Sequence, residues 1–568
     1  MLLSAVFIAS AIVLPHSAPR QNSGFERNLL NGYARHRPLH MSDVALTEHA
    51  QRLATALDSP PDRSKYRRGS NRVPNGAPAS VRPNLSILRE VLFASPEEAT
   101  ITVEPGVTME ELVAASMAHG LLPKVVPEFR RITVGGAIMG GAMESSSFLH
   151  GMFHDTIKSC ELLLPNGTIV VASRSVNADL LAGVGGSYGT LASLTLATVE
   201  CVRLPTGGTA SPPRAALTLE WHTDVDEGVA ALSAMAHAHT RPDGRCIDFL
   251  DAAALPKIAS SSTDGSIGGV LVCTACLVDE GGAADEAPTE AWSVGEAGDA
   301  FYFEKLLGVR TRLAAAGSSS GATINVSMGV EDYVFRFDRG AFQIGESSLW
   351  LARWHDFLTP TKLLLAAASA RSPLNLRKLT DPLFAADTMY KRLHLAPPEA
   401  IASRMVLQDL FAPEERAAAA IAFCQERLTE PPCALWLWPV RGSESPALLA
   451  PNGHVRSTEV LMNIGIYSRA PSCATGGGVD FTRALEQWGL ANGCRKLLYS
   501  SNHYEDSELW ATDATPHMYD RPGYDALRER TGASGQPRLE ERVVSALRPA
   551  HDMSLRAAAS VTLIEWLL

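Results

Sequence analysis

Three short segments of this chain gather the residue types that hold phosphates and flat rings. Tyr66–Arg72 reads YRRGSNR. Gly69 lets the backbone come close to an anion, and successive N–H groups around it can form an anion nest. Ser70 and Asn71 add side-chain donors, while Arg67, Arg68 and Arg72 add positive charge. Thr133–Ser147 reads TVGGAIMGGAMESSS. Gly135, Gly136, Gly140 and Gly141 remove side chains where a wide planar ring would lie. The segment's serines and backbone groups can meet the ring's polar edge. Gly183–Thr190, GVGGSYGT, ends in Gly189 and Thr190. Taken singly, each glycine set also suits turns and tight packing. Taken together and in this order, they suit a dinucleotide with a broad aromatic head.

The commoner phosphate loops are missing. A dinucleotide fingerprint G-x-G-x-x-G would need glycine where Tyr188 follows Gly183 and Gly185, and a helix where a strand pattern follows. No Gly-Lys-Ser/Thr loop occurs. Cys273 and Cys276 form a lone C-x-x-C without the second pair that a structural zinc site takes, so no metal is expected. Nine scattered cysteines do not make a small disulfide scaffold. With a formal net charge of −11 and no basic tract interleaved with aromatics, nucleic acid is not an expected partner.

The elements that must position these segments are legible from Thr100 on. ATITVEP alternates and ends in a Pro105-Gly106 turn. Thr108 and Glu111 then form a capping box at the head of a helical pattern that Gly120 closes. CELLLPNGTIVVAS holds two apolar runs around Asn166-Gly167, a hairpin signal. NADLLAGV reads as a short helix and LASLTLATVECVRL as a long strand. Pro205–Pro213, PTGGTASPP, is a linker in composition. Beyond it, AALTLEWH, DEGVAALSAMAHAH and RCIDFLD read strand, helix, strand. CALWLWPV, EVLMNIGIYS, FTRALEQWGLANG and RKLLYSSNHY read strand, strand, helix, strand. Asp279–Asp299 reads as a surface insertion.

The expected fold class is therefore α+β, in two lobes: residues 41–205 and residues 206–568, the latter with the insertion at 279–299. Residues 1–40 are set apart. Leu2–Pro15 is an uncharged apolar run, nearer in length to a signal-peptide core than to the roughly 20 residues of a membrane span. It is expected to direct or anchor the chain on the endoplasmic-reticulum or secretory route, with a bipartite plastid signal as the alternative.

The run VEPGVTMEELVAASMAHGLLPKVVPEFRRITVGGAIMGGAMESSSFLHGMF resembles the FAD-binding domain of the vanillyl-alcohol oxidase / p-cresol methylhydroxylase (PCMH-type) superfamily. Within it, the T-V-G-G…E-S-S-S segment and the V-E-P-G-V-T turn are marks of delta(24)-sterol reductases of the Diminuto/seladin type. PNGTIVVASRSVNADLLAGVGGSYGTLASLT continues the match. EDYVFRFDRGAFQIG, LMNIGIYSRAPS, GCRKLLYSSNHYEDSELW and YDALRERTGA resemble the family's cap domain. The resemblance implies a PCMH-type FAD-binding domain followed by a cap, or substrate, domain. It implies that Arg68, Gly69, Ser70 and Asn71 hold the FAD pyrophosphate. Thr133, Val134, Gly135, Gly136, Met139, Gly140, Gly141, Glu144, Ser145 and Ser146 would run along the flavin, and Gly189 and Thr190 would complete its pocket. Relatives often tie flavin to a histidine of the first loop or a cysteine of the second segment. Neither residue is present here, so FAD is expected to be non-covalent. Trp438 stands where relatives often carry cysteine.

The implied reaction is reduction of an isolated sterol side-chain double bond, with NADPH as the electron source. An isolated alkene is a poor hydride acceptor, so a proton donor is needed. Tyr504, with His503 beside it, is the first candidate. Arg336 and Arg339 are candidates for an anionic cofactor group, unless they pair with Glu331, Asp332 and Asp338. An oxidase of the same superfamily acting on a sugar lactone or alcohol is the alternative, and a flavin-binding protein without turnover is the third reading. The sequence leaves the identity of the sterol and the oligomeric state undetermined.

Overall fold

The computed structural model describes residues 43–60, 83–205, 213–257, 267–279, 290–315, 320–342, 382, 384–394, 398–428, 434–444, 447–471 and 477–544. The Tyr66–Arg72 loop, the Pro205–Pro213 linker apart from its ends, and the N-terminal apolar run lie outside them. Among the described residues no helix is long and apolar enough to cross a membrane.

The first lobe is built on a six-stranded sheet. Its strands are β1 (Val91–Ser95), β2 (Thr100–Val103), β3 (Leu121–Pro123), β4 (Ile157–Leu163), β5 (Ile169–Ser173) and β6 (Ser193–Arg203). The order is β1-β2-β6-β4-β5, with β3 also pairing with β6. Asn166-Gly167 turns β4 into β5, and Gly167 takes φ +85° there. The capping box forms as the spacing predicts: Thr108 Oγ1 accepts from Glu111 N, and the Glu111 carboxylate accepts from Thr108 N at the head of the Met109–Met117 helix. An N-terminal helix, Asp43–Asp58, docks on this lobe through Leu46, Ala50 and Leu53. His49 is buried there with Nδ1 2.6 Å from Glu104 and Nε2 3.3 Å from Glu161, and Arg52 Nε also reaches Glu104 at 2.9 Å. Burial alone would lower the His49 pKa, but the hydrogen bonds to both carboxylates outweigh it and raise it to about 9.

The second lobe is built on a nine-stranded sheet. It comprises β7 (Arg214–His222), β8 (Phe249–Pro256), β9 (Ile267–Val278), β10 (Glu290–Trp292), β11 (Ala322–Gly329), β12 (Met405–Pro413), β13 (Leu435–Arg441), β14 (Val460–Arg469) and β15 (Arg495–Lys496). Their order is β10-β11-β7-β9-β8-β13-β14-β12-β15. All pairs are antiparallel except β10 with β11. Period-two alternation splits the sheet's side chains between two cores. Leu435, Leu437, Met462, Ile464 and Ile466 face helices Val225–Ala238, Ala417–Arg427 and Gly478–Ala491. Trp436, Trp438, Leu461 and Tyr467 face the other way, into a core continuous with that of the first lobe.

TVGGAIMG forms a helix, Val134–Gly140, headed by Thr133, whose Oγ1 accepts from Gly136 N at 3.1 Å. Two expectations need correction. The insertion at 279–299 contains a strand: β10 adds to the sheet's edge beside β11. The strand expected over RKLLYSSNHY stops after Lys496. From there the Asn502 amide donates to the carbonyls of Leu498, Ser500 and Val543, so a side chain replaces the ladder. Cys273 and Cys276 sit three apart on β9 and point to opposite faces, which rules out a shared chelate.

Candidate active site between the two lobes

The Val134–Gly140 helix carries glycines of two kinds. Gly135 and Gly141 are bare because the fold is tight. A Cβ on Gly135 would lie 2.9 Å from Pro105 Cβ, whose residue also accepts the Gly135 N–H at 2.9 Å. A Cβ on Gly141, at φ +77°, would lie 2.7 Å from Leu497 Cδ1. Gly136 and Gly140 are bare for another reason. A Cβ on Gly140 meets no described atom within 4 Å, and one on Gly136 meets only Thr133 Oγ1 at 3.1 Å. Gly189, at φ +73°, has nothing nearer than 4.0 Å, where the sulfur of Met139 lies. Met139 O accepts from Tyr188 N at 2.8 Å, so the second and third glycine segments are stitched side by side. The result is a trough of bare backbone with open space above it, which fits the flat ring and chain of FAD. Val134 is buried and anchors the helix through Val107 O, while Thr190 O accepts from Arg528 of the second lobe at 3.3 Å. Arg68, Gly69, Ser70 and Asn71 lie outside the described residues.

Past the helix the chain dives into the interface. Glu144, Ser145 and Ser146 are buried. Glu144 N donates to Ser147 Oγ at 3.0 Å, and the Glu144 carboxylate takes both the N–H and the hydroxyl of Ser145. Arg336, fully buried, donates to Glu144 Oε1 at 3.0 Å and to Asp251 Oδ2 at 2.8 Å. Its guanidinium also sits 4.3 Å from the Tyr333 ring centroid and 4.5 Å from that of Phe337. Tyr333 OH donates to Ser145 Oγ at 3.3 Å, and Leu250 N donates to Ser145 O at 2.7 Å. Glu144 is thus an inter-lobe anchor. Neither earlier option for Arg336 holds, since its partners are Glu144 and Asp251. Arg339 donates to the Val294 and Asp299 carbonyls.

An aromatic wall adjoins this anchor through Phe337, which packs on the Arg336 guanidinium. Phe342 stacks on Tyr467 at 4.5 Å, and Phe337, Trp436 and Trp438 pack around it. Phe129 and Tyr390 extend the wall from the two lobes. Set into it are two carboxyls that sequence reading passed over. Asp409, on β12, is buried and accepts from Tyr467 OH at 3.0 and 3.2 Å, while the Tyr499 hydroxyl approaches the same carboxylate. Burial pushes Asp409 up to about 6, with the two tyrosines opposing the rise. Glu128, in the β3–helix connection, is surrounded by protein yet keeps accessible surface, as does Tyr499. Burial pushes Glu128 up to about 8; Glu144 and Asp409 add to the rise, and Arg336 opposes it.

Tyr504 and His503 belong to a different neighbourhood. Tyr504 is buried, with Lys496 Nζ 5.4 Å from its ring centroid, and Glu486, Tyr519, Cys494 and Glu508 act on it most strongly after burial. Lys496 Nζ pairs with Glu486 at 2.6 Å, and the Glu486 carboxylate takes the His503 N–H at 2.9 Å. The segment does supply a tyrosine to the aromatic wall, but it is Tyr499. The signal for Glu128 and Asp409 was present in the sequence: each is a lone acid within an apolar run, VVPEF and VLQDLF.

A family model described as an FAD binding domain matches residues 69–173, which include Gly69 and the whole Thr133–Ser147 segment. The chain is 24% identical to the Delta(24)-sterol reductase of Homo sapiens over 472 residues, covering 81% of this chain and 77% of that protein. The Delta(24)-sterol reductase of Pisum sativum is 22% identical over 478 residues, 80% and 74% of the two chains. That of Arabidopsis thaliana is 34% identical over 122 residues, 21% and 22% of the two.

Proposed function

We propose that this chain, which belongs to the PCMH-type FAD-binding superfamily and is an FAD-dependent oxidoreductase, uses NADPH to reduce an isolated double bond in the side chain of a sterol. The observation that carries this reading is the bare glycine trough, in which Gly136, Gly140 and Gly189 leave space for a flat ring. The likeness to Delta(24)-sterol reductases over four fifths of the chain supports it. Bound FAD would accept a hydride from NADPH and hand it to one carbon of the alkene. The chain's own residues do the rest. Gly136, Gly140 and Gly189 leave room for the flavin, and Gly69, Ser70 and Asn71 with Arg68 are assigned to its pyrophosphate. Phe129, Phe342, Trp436 and Trp438 form a buried aromatic core beside the interface. The second alkene carbon takes a proton from the protein. Leu2–Pro15 is assigned to bring the chain to the endoplasmic-reticulum membrane.

Anaerobic spectra test this directly. NADPH alone should bleach the flavin, and an added side-chain-unsaturated sterol should restore the colour. Expression in a host lacking the reductase should remove that host's accumulated sterol. A flavin that NADPH leaves oxidised, but a sugar lactone or alcohol bleaches, would refute the reading.

A further inference from the structure

A cavity of about 320 Å³ opens where the first lobe meets the end of β13. That is a volume small ligands fill. None of the residues assigned to FAD lines it. It nevertheless abuts the third glycine segment. Leu181 and Ala182, just before that segment, line it, and the His154 ring packs on Gly185, where a Cβ would lie 2.6 Å from Cδ2. The cavity gathers donors that lack acceptors. His154 is 8% exposed, and neither of its ring nitrogens has a hydrogen-bond partner. Asp155 Oδ1 stands 3.6 Å from Nε2, beyond hydrogen-bond length. An imidazole always carries at least one N–H, so a buried donor is left over. Arg441 gives Nη2 to Glu444 at 2.6 Å, but its Nε is buried with no partner. Lys124 places one of its three ammonium hydrogens on Glu200 at 2.6 Å. Three carboxylates share the cavity, yet each is already held: Glu200 by Lys124 and Arg174, Glu444 by Arg441, and Asp155 by Ser443 Oγ, Asn452 Nδ2 and Met152 N.

We propose that this cavity is a subsite for a phosphate monoester or free phosphate, held by Lys124, His154 and Arg441 with His150 beside it. A phosphate dianion presents several acceptor oxygens to donors that converge from both lobes, and charge-assisted hydrogen bonds of this kind are the strong ones. His150 reports on the same surroundings. Burial pushes its pKa down to about 4; Lys124 and Arg441 push the same way, Glu200 opposes them, and His239 adds a smaller push. An anion seated among these groups would reverse that trend. Two sources carry the group. One is the 2′-phosphate of NADPH, which NADH lacks; the other is inorganic phosphate. The subsite stands on its own residues, and only the first source rests on the reductase reading above.

Two measurements on the FAD-loaded full chain decide the matter. With ¹⁵N-labelled histidines, the NMR signal of His150, identified by its loss in His150→Gln, should titrate near 4 and move upward by about one pH unit or more when inorganic phosphate or NADP⁺ is added. No movement with either would overturn the subsite. Calorimetry then assigns the source. NADP⁺ binding that NAD⁺ does not match, and that inorganic phosphate competes away, supports the 2′-phosphate. Phosphate that binds while NADP⁺ and NAD⁺ bind alike supports the subsite with inorganic phosphate as its occupant. Lys124→Gln and Arg441→Gln, both at partly exposed side chains, should each weaken the phosphate-bearing ligand about 10-fold or more and leave FAD content unchanged. Wild-type phosphate affinity in both variants would overturn the assignment. If NADPH fails to bleach the wild-type flavin while phosphate still shifts His150, the reductase reading falls and the subsite stands.

Discussion

Gly140→Ala and Gly141→Ala, adjacent substitutions of one atom each, should behave as opposites. At Gly140 the added Cβ meets no described atom within 4 Å, and the residue ends a helix. In the apoprotein the change should be neutral, or stabilising by up to about 1 kcal/mol, because alanine is the better helix former. With FAD in the trough the same methyl intrudes on occupied space. Overpacking of that size costs about 1–3 kcal/mol, which is about a 5- to 150-fold weaker Kd. At Gly141 the residue sits at φ +77° and its Cβ would lie 2.7 Å from Leu497 Cδ1. Left-handed strain and a steric clash together should destabilise the apoprotein by roughly 2 kcal/mol or more, before any flavin is added. Urea unfolding of the two apoproteins, followed by fluorescence titration with FAD, separates the effects. If Gly140→Ala binds FAD as the wild type does, the open side of the helix is not where flavin lies, and the assignment of the trough falls.

Other outcomes follow from the buried charges and the N-terminus. His49 should make stability fall in alkali: its folded pKa of about 9 exceeds the unfolded value of 6.5, so its contribution is full below pH 6.5 and lost as pH rises through 9. The loss amounts to about 3 kcal/mol, and a His49→Gln variant should show an unfolding midpoint much flatter over that window. Arg336→Met should lower unfolding free energy by roughly 3–5 kcal/mol, since it strands Glu144 and Asp251 together in the core; adding Asp251→Asn should recover part of it in the same urea assay. Acid precipitation should leave the flavin in the supernatant; fluorescence that stays with the denatured chain would contradict the non-covalent assignment. A chain starting at Met41 should keep FAD, since the Asp43–Asp58 helix and its His49 anchor remain intact.

What sequence could show depended on range. Capping boxes, the Asn-Gly hairpin and strand alternation are local, and Thr108–Glu111, Gly167 and β6 formed where spacing placed them. The glycine trough was legible as a set, but which glycines face a ligand and which face Pro105 or Leu497 depends on packing between distant segments. The reading of Tyr504 and His503 as a donor pair assumed a strand through the whole segment. The ladder ends at Lys496, so alternation past that point had no meaning. Arg336 was read against acids near it in sequence, whereas its partners lie 85 and 192 positions away.

That separation has a consequence on the ribosome. Glu144 leaves the tunnel long before Arg336, and at about 5–20 residues per second the 192 intervening positions take roughly 10–40 s to make. Throughout that interval the first lobe carries a carboxylate destined for its core with no cation to meet it. Its inner surface must stay wet, or guarded by a chaperone, until β7 to β11 and the Arg336 turn arrive. Until then the Ser145 N–H and hydroxyl are the partners the first lobe itself supplies to Glu144, and the cation that completes the site comes last.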